Sequence, residues 1–180
     1  MRREVIEQVT WRLLFSMGLT ETVPVPVEDI ADGLGLPVMP MNLGDGVSGV
    51  LVTEGGRSYI GVQKAEAPHR RRYTVGHEIG HHYLKHHQGA VHVDRESSIT
   101  FRAVSYRTTR SAHGSDPREV EANQFAACLL MPARLVRREA KGLIDGPLAD
   151  RHIPILAKQF LVSEAAMTIR LETLGLLAIA

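Results

Sequence analysis

The sequence predicts an α+β fold, a small antiparallel sheet set among helices, and three observations predict it. Two β-rich runs, in "VSGVLVTEGGRSYIGVQ", flank Glu54-Gly55-Gly56-Arg57, a hairpin signature. Two later segments, "PHRRRYTVGHEIGHHYLKHH" and "REVEANQFAACLL", are long and read as helices rather than alternating strands. The chain after Gly146-Pro147 reads as helical again. The order helix, helix, hairpin, helix, helix keeps strands and helices apart, which favours α+β over alternating α/β.

The first helix is expected over Val5 to Met17, where Val5, Ile6, Val9, Leu13 and Phe15 recur at roughly helical spacing and Gly18 acts as a stop. "VPVPVEDIADGLGLPV" predicts a short helix from about Val27 to Leu34, with prolines at its entry and Gly33 or Gly35 at its exit. A helix carrying most of the histidines is expected from Pro68 to His87. Residues 88 to 115 mix short β-like runs with Ser, Thr and Gly and read as a loop-rich excursion. The next helix opens at Asp116-Pro117, an N-cap followed by proline at the first helical position, and stops at Met131-Pro132.

The chain has 180 residues, 44% hydrophobic and 23% charged, which suits one domain with a proper core or one domain with a small appendage. A net charge of +1 gives no bulk electrostatic case for nucleic acid. A single cysteine, Cys128, cannot form an internal disulfide and fits a reducing compartment. The opening "MRREVIEQVTWRLLFSMG" lacks the unbroken apolar core of a signal peptide, and no apolar run approaches the ~20 residues that span a bilayer. The expected compartment is the cytoplasm.

"YTVGHEIGHHYLKHH", residues 73 to 87, holds five histidines and one glutamate. In "HEIGH", His77 and His81 stand four apart. On a helix that spacing stacks two imidazoles on one face, about 6 Å apart, where both can reach one ion. Glu78 projects sideways from the pair, within reach of a water activated by that ion. His82 and His86 share the spacing, but Tyr83 follows the first of them and no acid is placed to act as base. They read as surface or supporting histidines. Gly76 and Gly80 keep the helix slim, and interior glycines cost about 1 kcal/mol each against alanine. Such positions make sense where another backbone or a substrate comes close.

A catalytic zinc takes three protein ligands and keeps one open position. The helix "EVEANQFAACLLMP" offers Glu119 and Glu121, about 200° apart around its axis, so one alone can face the metal. Glu119 shares a face with Asn123 one turn on, and Asn123 could orient Glu119 or a histidine. Glu119 is therefore the favoured third ligand. Cys128 sits on the apolar stretch and reads as a small core residue.

These two segments together resemble the ImmA/IrrE family of zinc metallopeptidases, over roughly Val25 to Pro132 and more loosely in the tail. The resemblance implies a compact gluzincin-like metallopeptidase. It carries the ligand roles onto His77, His81 and Glu119 for one Zn2+ per chain, and the general-base role onto Glu78. It also implies an endopeptidase whose protein substrate is a helix-turn-helix repressor, cleaved to derepress stress, mobile-element or toxin–antitoxin genes. A donor for the oxyanion is expected in the loop between the two helices, with Tyr106, His113 and His92 as candidates.

The expected organisation is a metallopeptidase domain over residues 1–148 and a helical extension over 149–180 packed on it. In the extension, a helix, a turn at Leu161-Val162-Ser163 and a Ser-capped helix make a helix-turn-helix pattern. Its second helix offers Arg170 alone for DNA, so direct nucleic-acid contact is not expected. "HRRR" at 69–72 reads as a solvated turn or a docking patch. The competing reading of the whole chain is a DNA-binding or scaffold module with a structural or degenerate metal site.

Overall fold

The computed structural model describes residues 1, 3–44, 46–54, 56–86, 116–144 and 148–177. Helix α1 (Arg3–Ser16) buries Ile6, Thr10, Leu13 and Leu14 along one stripe. Helix α2 (Val27–Gly33) follows Pro26, and Gly35 at φ 74° turns the chain out of it. Strands β1 (Val38–Met41), β2 (Gly49–Glu54) and β3 (Arg57–Gln63) form one sheet in the order β1-β3-β2.

Strands β2 and β3 make the expected antiparallel hairpin, with Glu54 opposite Arg57 and Gly56 at φ 78° in the turn. Strand β1 adds to the other side of β3 and runs parallel to it, Val38 opposite Ile60. The sheet is thus mixed where an antiparallel one was expected. The hairpin fills one edge of β3 only. A chain that leaves β1 and reverses into β2 must enter β3 in the direction of β1. Pro40, which has no N–H to donate, is tolerated because β1 lies at the sheet edge.

Among the described residues five α-helices follow: α3 (Pro68–Tyr83), α4 (Pro117–Leu130), α5 (Ala133–Leu143), α6 (Ile153–Phe160) and α7 (Glu164–Thr173). Helix α5 was not anticipated, although it is strongly amphipathic: Leu135, Val136 and Ala140 lie on one face and are buried, with the charges on the other. Asp116 caps α4 as expected, accepting from the Arg118 N–H. The Arg118 guanidinium, which donates to the same carboxylate at 3.1 Å, and then this N–H bond hold the Asp116 carboxyl below its usual pKa. Helix α3 ends at Tyr83, four residues short of the expected His87. Lys85 adopts φ 57°, its N–H bonds to His82 O, and the His86 N–H bonds to His81 O. That pattern reverses the chain through a left-handed residue and terminates the helix.

The arginines of "HRRR" are anchors rather than a free patch. Arg70 pairs with Glu66 at 3.0 Å and donates to Ser48, Arg71 lies 3.9 Å from Glu28, and Arg72 donates to Val25 O at 2.8 Å. They fasten the start of α3, where the dipole is unfavourable for cations, to the segments before it.

The α3–α4 contact positions the candidate site. A Cβ built on Gly76 would stand 3.4 Å from Ala126 Cα, and one on Gly80 would stand 3.2 Å from both Ala122 Cα and Ala122 O. Small residues on both helices let the backbones approach, and Val75, Ile79, Phe125 and Leu129 fill the flanks, all fully buried. Gly80→Val is therefore expected to push α4 outward against backbone that cannot yield. Overpacking of this kind costs about 1–3 kcal/mol, which exceeds any helix-propensity gain. Urea unfolding of the variant checks this; unchanged stability would refute the close contact.

The tail joins the same core. Leu148, Leu156, Phe160, Met167 and Leu171 belong to one buried cluster with Leu129, Leu130 and Val136. Ser163 caps α7, and Leu161 at φ 52° makes the turn before it. Arg170 is 3% exposed, donates to Met131 O at 2.8 Å and pairs with Glu7 at 2.5 Å. The one basic residue offered for DNA on α7 thus faces inward and ties α7 to α1 and to the end of α4. Beside it, burial pushes the Cys128 thiol up to about 12, so it stays protonated at neutral pH. Among the described residues no helix is long and apolar enough to cross a membrane.

Candidate metal centre

Helix α3 presents His77 and His81 one turn apart, both buried, toward α4. Helix α4 answers with Glu119 in its first turn. His77 Nε2 lies 3.0 Å from His81 Nε2 and 3.3 Å from Glu119 Oε2, and His81 Nε2 lies 3.2 Å from Glu119 Oε1. Tetrahedral zinc with bonds of about 2.0–2.1 Å separates its ligand atoms by about 3.3 Å. Each nitrogen faces a different oxygen of Glu119 at about that spacing, and the three residues form a group whose ligand atoms all lie within 4.8 Å of one another, so together they can hold one such ion. Among the described residues no fourth His, Cys, Asp or Glu joins them.

The orientation of His77 is fixed from behind. Asn123 Oδ1 lies 3.0 Å from His77 Nδ1 and accepts from the Tyr73 hydroxyl at 3.2 Å. An amide oxygen can only accept, so His77 donates from Nδ1 and turns the lone pair of Nε2 toward Glu119. Asn123 thus sits where its spacing from Glu119 suggested, serving the histidine. Tyr73 was not singled out from the sequence. Its signal is its place one turn before His77, as Asn123 lies one turn after Glu119.

Glu78 is 2% exposed and lies on the sheet side of α3. A Cβ on Gly49, at the start of β2, would stand 3.5 Å from Glu78 Oε1 and only 2.2 Å from Thr74 Cγ2. It is the Thr74 methyl that requires glycine at 49; the Glu78 carboxylate would lie at ordinary van der Waals distance from a side chain there. Glu121 takes no part in the three-residue group. Its Oε2 lies 3.1 Å from His86 Nε2, and its other oxygen meets the Met1 amine. His86 in turn faces His81, Nδ1 to Nδ1 at 3.3 Å. His82 is not part of the group, and burial lowers its pKa. Tyr106, His113 and His92 lie outside the described residues.

Residues 31–172 match the family model Peptidase_M78, IrrE N-terminal-like domain. The chain belongs to this M78 family. The match runs from α2 through α7, so it takes in the metal group and most of the helical tail. Membership supports a metal-dependent peptidase activity at the level of the family. Among solved structures, a Mycobacterium tuberculosis transcriptional regulator is similar with a TM-score of 0.58 at 16% identity, over 93% of this chain and 46% of that one. At that identity the likeness is one of fold, and this M78 chain spans less than half the length of that protein. No curated protein matches the chain.

Proposed function

We propose that the chain is a zinc-dependent endopeptidase in which His77, His81 and Glu119 hold one zinc ion and Glu78 is the general base. The observation that carries this is the convergence of two imidazole nitrogens and the Glu119 carboxylate within 3.0–3.3 Å of one another, with the buried Glu78 next to His77 on α3. Zinc held there supplies a Lewis acid for the scissile carbonyl and lowers the pKa of water toward neutrality. The chain's own residues do the rest. Glu78 accepts a proton from the attacking water and delivers it to the leaving amine. Asn123 and Tyr73 keep His77 aimed, and the close α3–α4 contact keeps Glu119 within reach.

The substrate in this reading is a protein in the cytoplasm, a helix-turn-helix repressor whose cleavage derepresses stress, mobile-element or toxin–antitoxin genes. Family membership supports a protein substrate, and a fold neighbour named as a transcriptional regulator accords with a regulatory setting. Residues 149–180 act as a helical extension of a peptidase domain over 1–148. The rival reading, a DNA-binding or scaffold module with a structural metal, is disfavoured by the buried Arg170 and by a metal group that, among the described residues, has three ligands.

The test is to incubate the purified chain with the helix-turn-helix protein encoded beside it, with and without zinc. One defined cut that a chelator abolishes and added zinc restores is the expected result. A chain that binds DNA irrespective of chelator, and cuts nothing, would overturn the proposal.

A further inference from the structure

We infer that His86 is a positioning residue for the metal centre: a chain Glu121–His86–His81 fixes the tautomer and the aim of His81, as Asn123 does for His77. The inference rests on the metal reading above. It begins at the carboxylate. Ionised Glu121 only accepts, so the His86 nitrogen 3.1 Å away, Nε2, must donate. Neutral His86 then carries a lone pair on Nδ1. His81 Nδ1, 3.3 Å from it, must be the donor of that pair. The proton on His81 is thereby held at Nδ1, and the Nε2 lone pair is left facing His77 and Glu119. Each step follows from the one before, and the last leaves a nitrogen suited to a metal.

The backbone supports this placement. Had α3 continued, His86 would lie five residues after His81, about 140° away around the helix, on another face. The left-handed turn at Lys85 breaks that geometry and folds His86 back, with its own N–H bonded to His81 O at 3.0 Å. The rings meet edge-on, centroids 5.1 Å apart. The same two residues are thus joined twice, once through backbone and once through side chains. Lysine is an uncommon choice for a left-handed position, where glycine is usual.

The test uses the full chain and two variants, His86→Ala and His86→Asn. Asparagine can place Oδ1 near the site of Nδ1 and still accept from His81. Zinc affinity is measured by competition with a chromogenic chelator, and thermal unfolding is followed on the metal-free proteins. His86→Ala is expected to weaken zinc binding about 10–100-fold, His86→Asn to recover most of that loss, and the metal-free melting temperatures to stay alike. The inference is overturned if wild type binds one zinc and His86→Ala binds it equally well. It is also overturned if both variants lose affinity alike and melt lower, since His86 would then serve the fold alone. Wild type that binds no zinc would sink the metal reading, and this inference with it, so the two failures are told apart.

Discussion

Glu78→Gln is expected to lower the rate of peptide cleavage by about 10²–10⁴-fold, the range that a positioned general acid–base contributes, while zinc content stays at one ion per chain. Glutamine keeps the size and most of the hydrogen-bonding capacity of glutamate but cannot take a proton from water. Glu78 is buried beside the start of β2, with Gly49 at its side, so an isosteric replacement disturbs little of the packing. Because Glu78 is not one of the three converging ligands, metal binding is a built-in control. Zinc content by elemental analysis, alongside single-turnover cleavage of the proposed repressor substrate, makes the comparison. Cleavage at the wild-type rate would remove Glu78 from the mechanism.

The second large effect separates two carboxylates on one helix. Glu119→Gln is expected to lose zinc in a competition assay in which Glu121→Gln retains it with roughly tenfold weaker affinity. Glu119 meets both Nε2 atoms at 3.2 and 3.3 Å, and among the described residues it is the one anionic member of the group. A neutral amide leaves two imidazoles and no counter-charge for a dication. Glu121 touches His86 instead, one residue removed from His81. Glutamine at 121 can still accept from His86 Nε2, which limits the loss. Equal loss from both variants, or loss from Glu121→Gln alone, would overturn the ligand assignment.

The residues of the candidate site were legible because their relations are local. His77 and His81 share a face by spacing alone, Glu119 and Asn123 do the same, and Asp116-Pro117 announces the start of α4. The hairpin at Glu54 to Arg57 was legible for the same reason, its turn being written in two glycines. Less legible were the features set by contacts between distant segments. The parallel pairing of β1 with β3 depends on which edge the hairpin leaves open. Helix α5 is the exception: its apolar residues and charges segregate at helical period, so its signal lay in the sequence and was overlooked after Met131-Pro132. The end of α3 was missed because lysine carries no signal for the left-handed turn that it makes at 85.

By itself the sequence determined the inventory: two helices, two histidines and a glutamate on one, a carboxylate and an amide on the other, each set one turn apart. Helical periodicity obliges those groupings whatever the rest of the chain does. Tertiary structure alone decided that Gly76 and Gly80 lie against Ala126 and Ala122, close enough for Glu119 to reach both imidazoles. It alone also brought His86 back to His81 and turned Arg170 inward. Spacing along a helix fixes which side chains share a face; which face meets which is chosen by the packing of the whole core, and no local pattern encodes that choice.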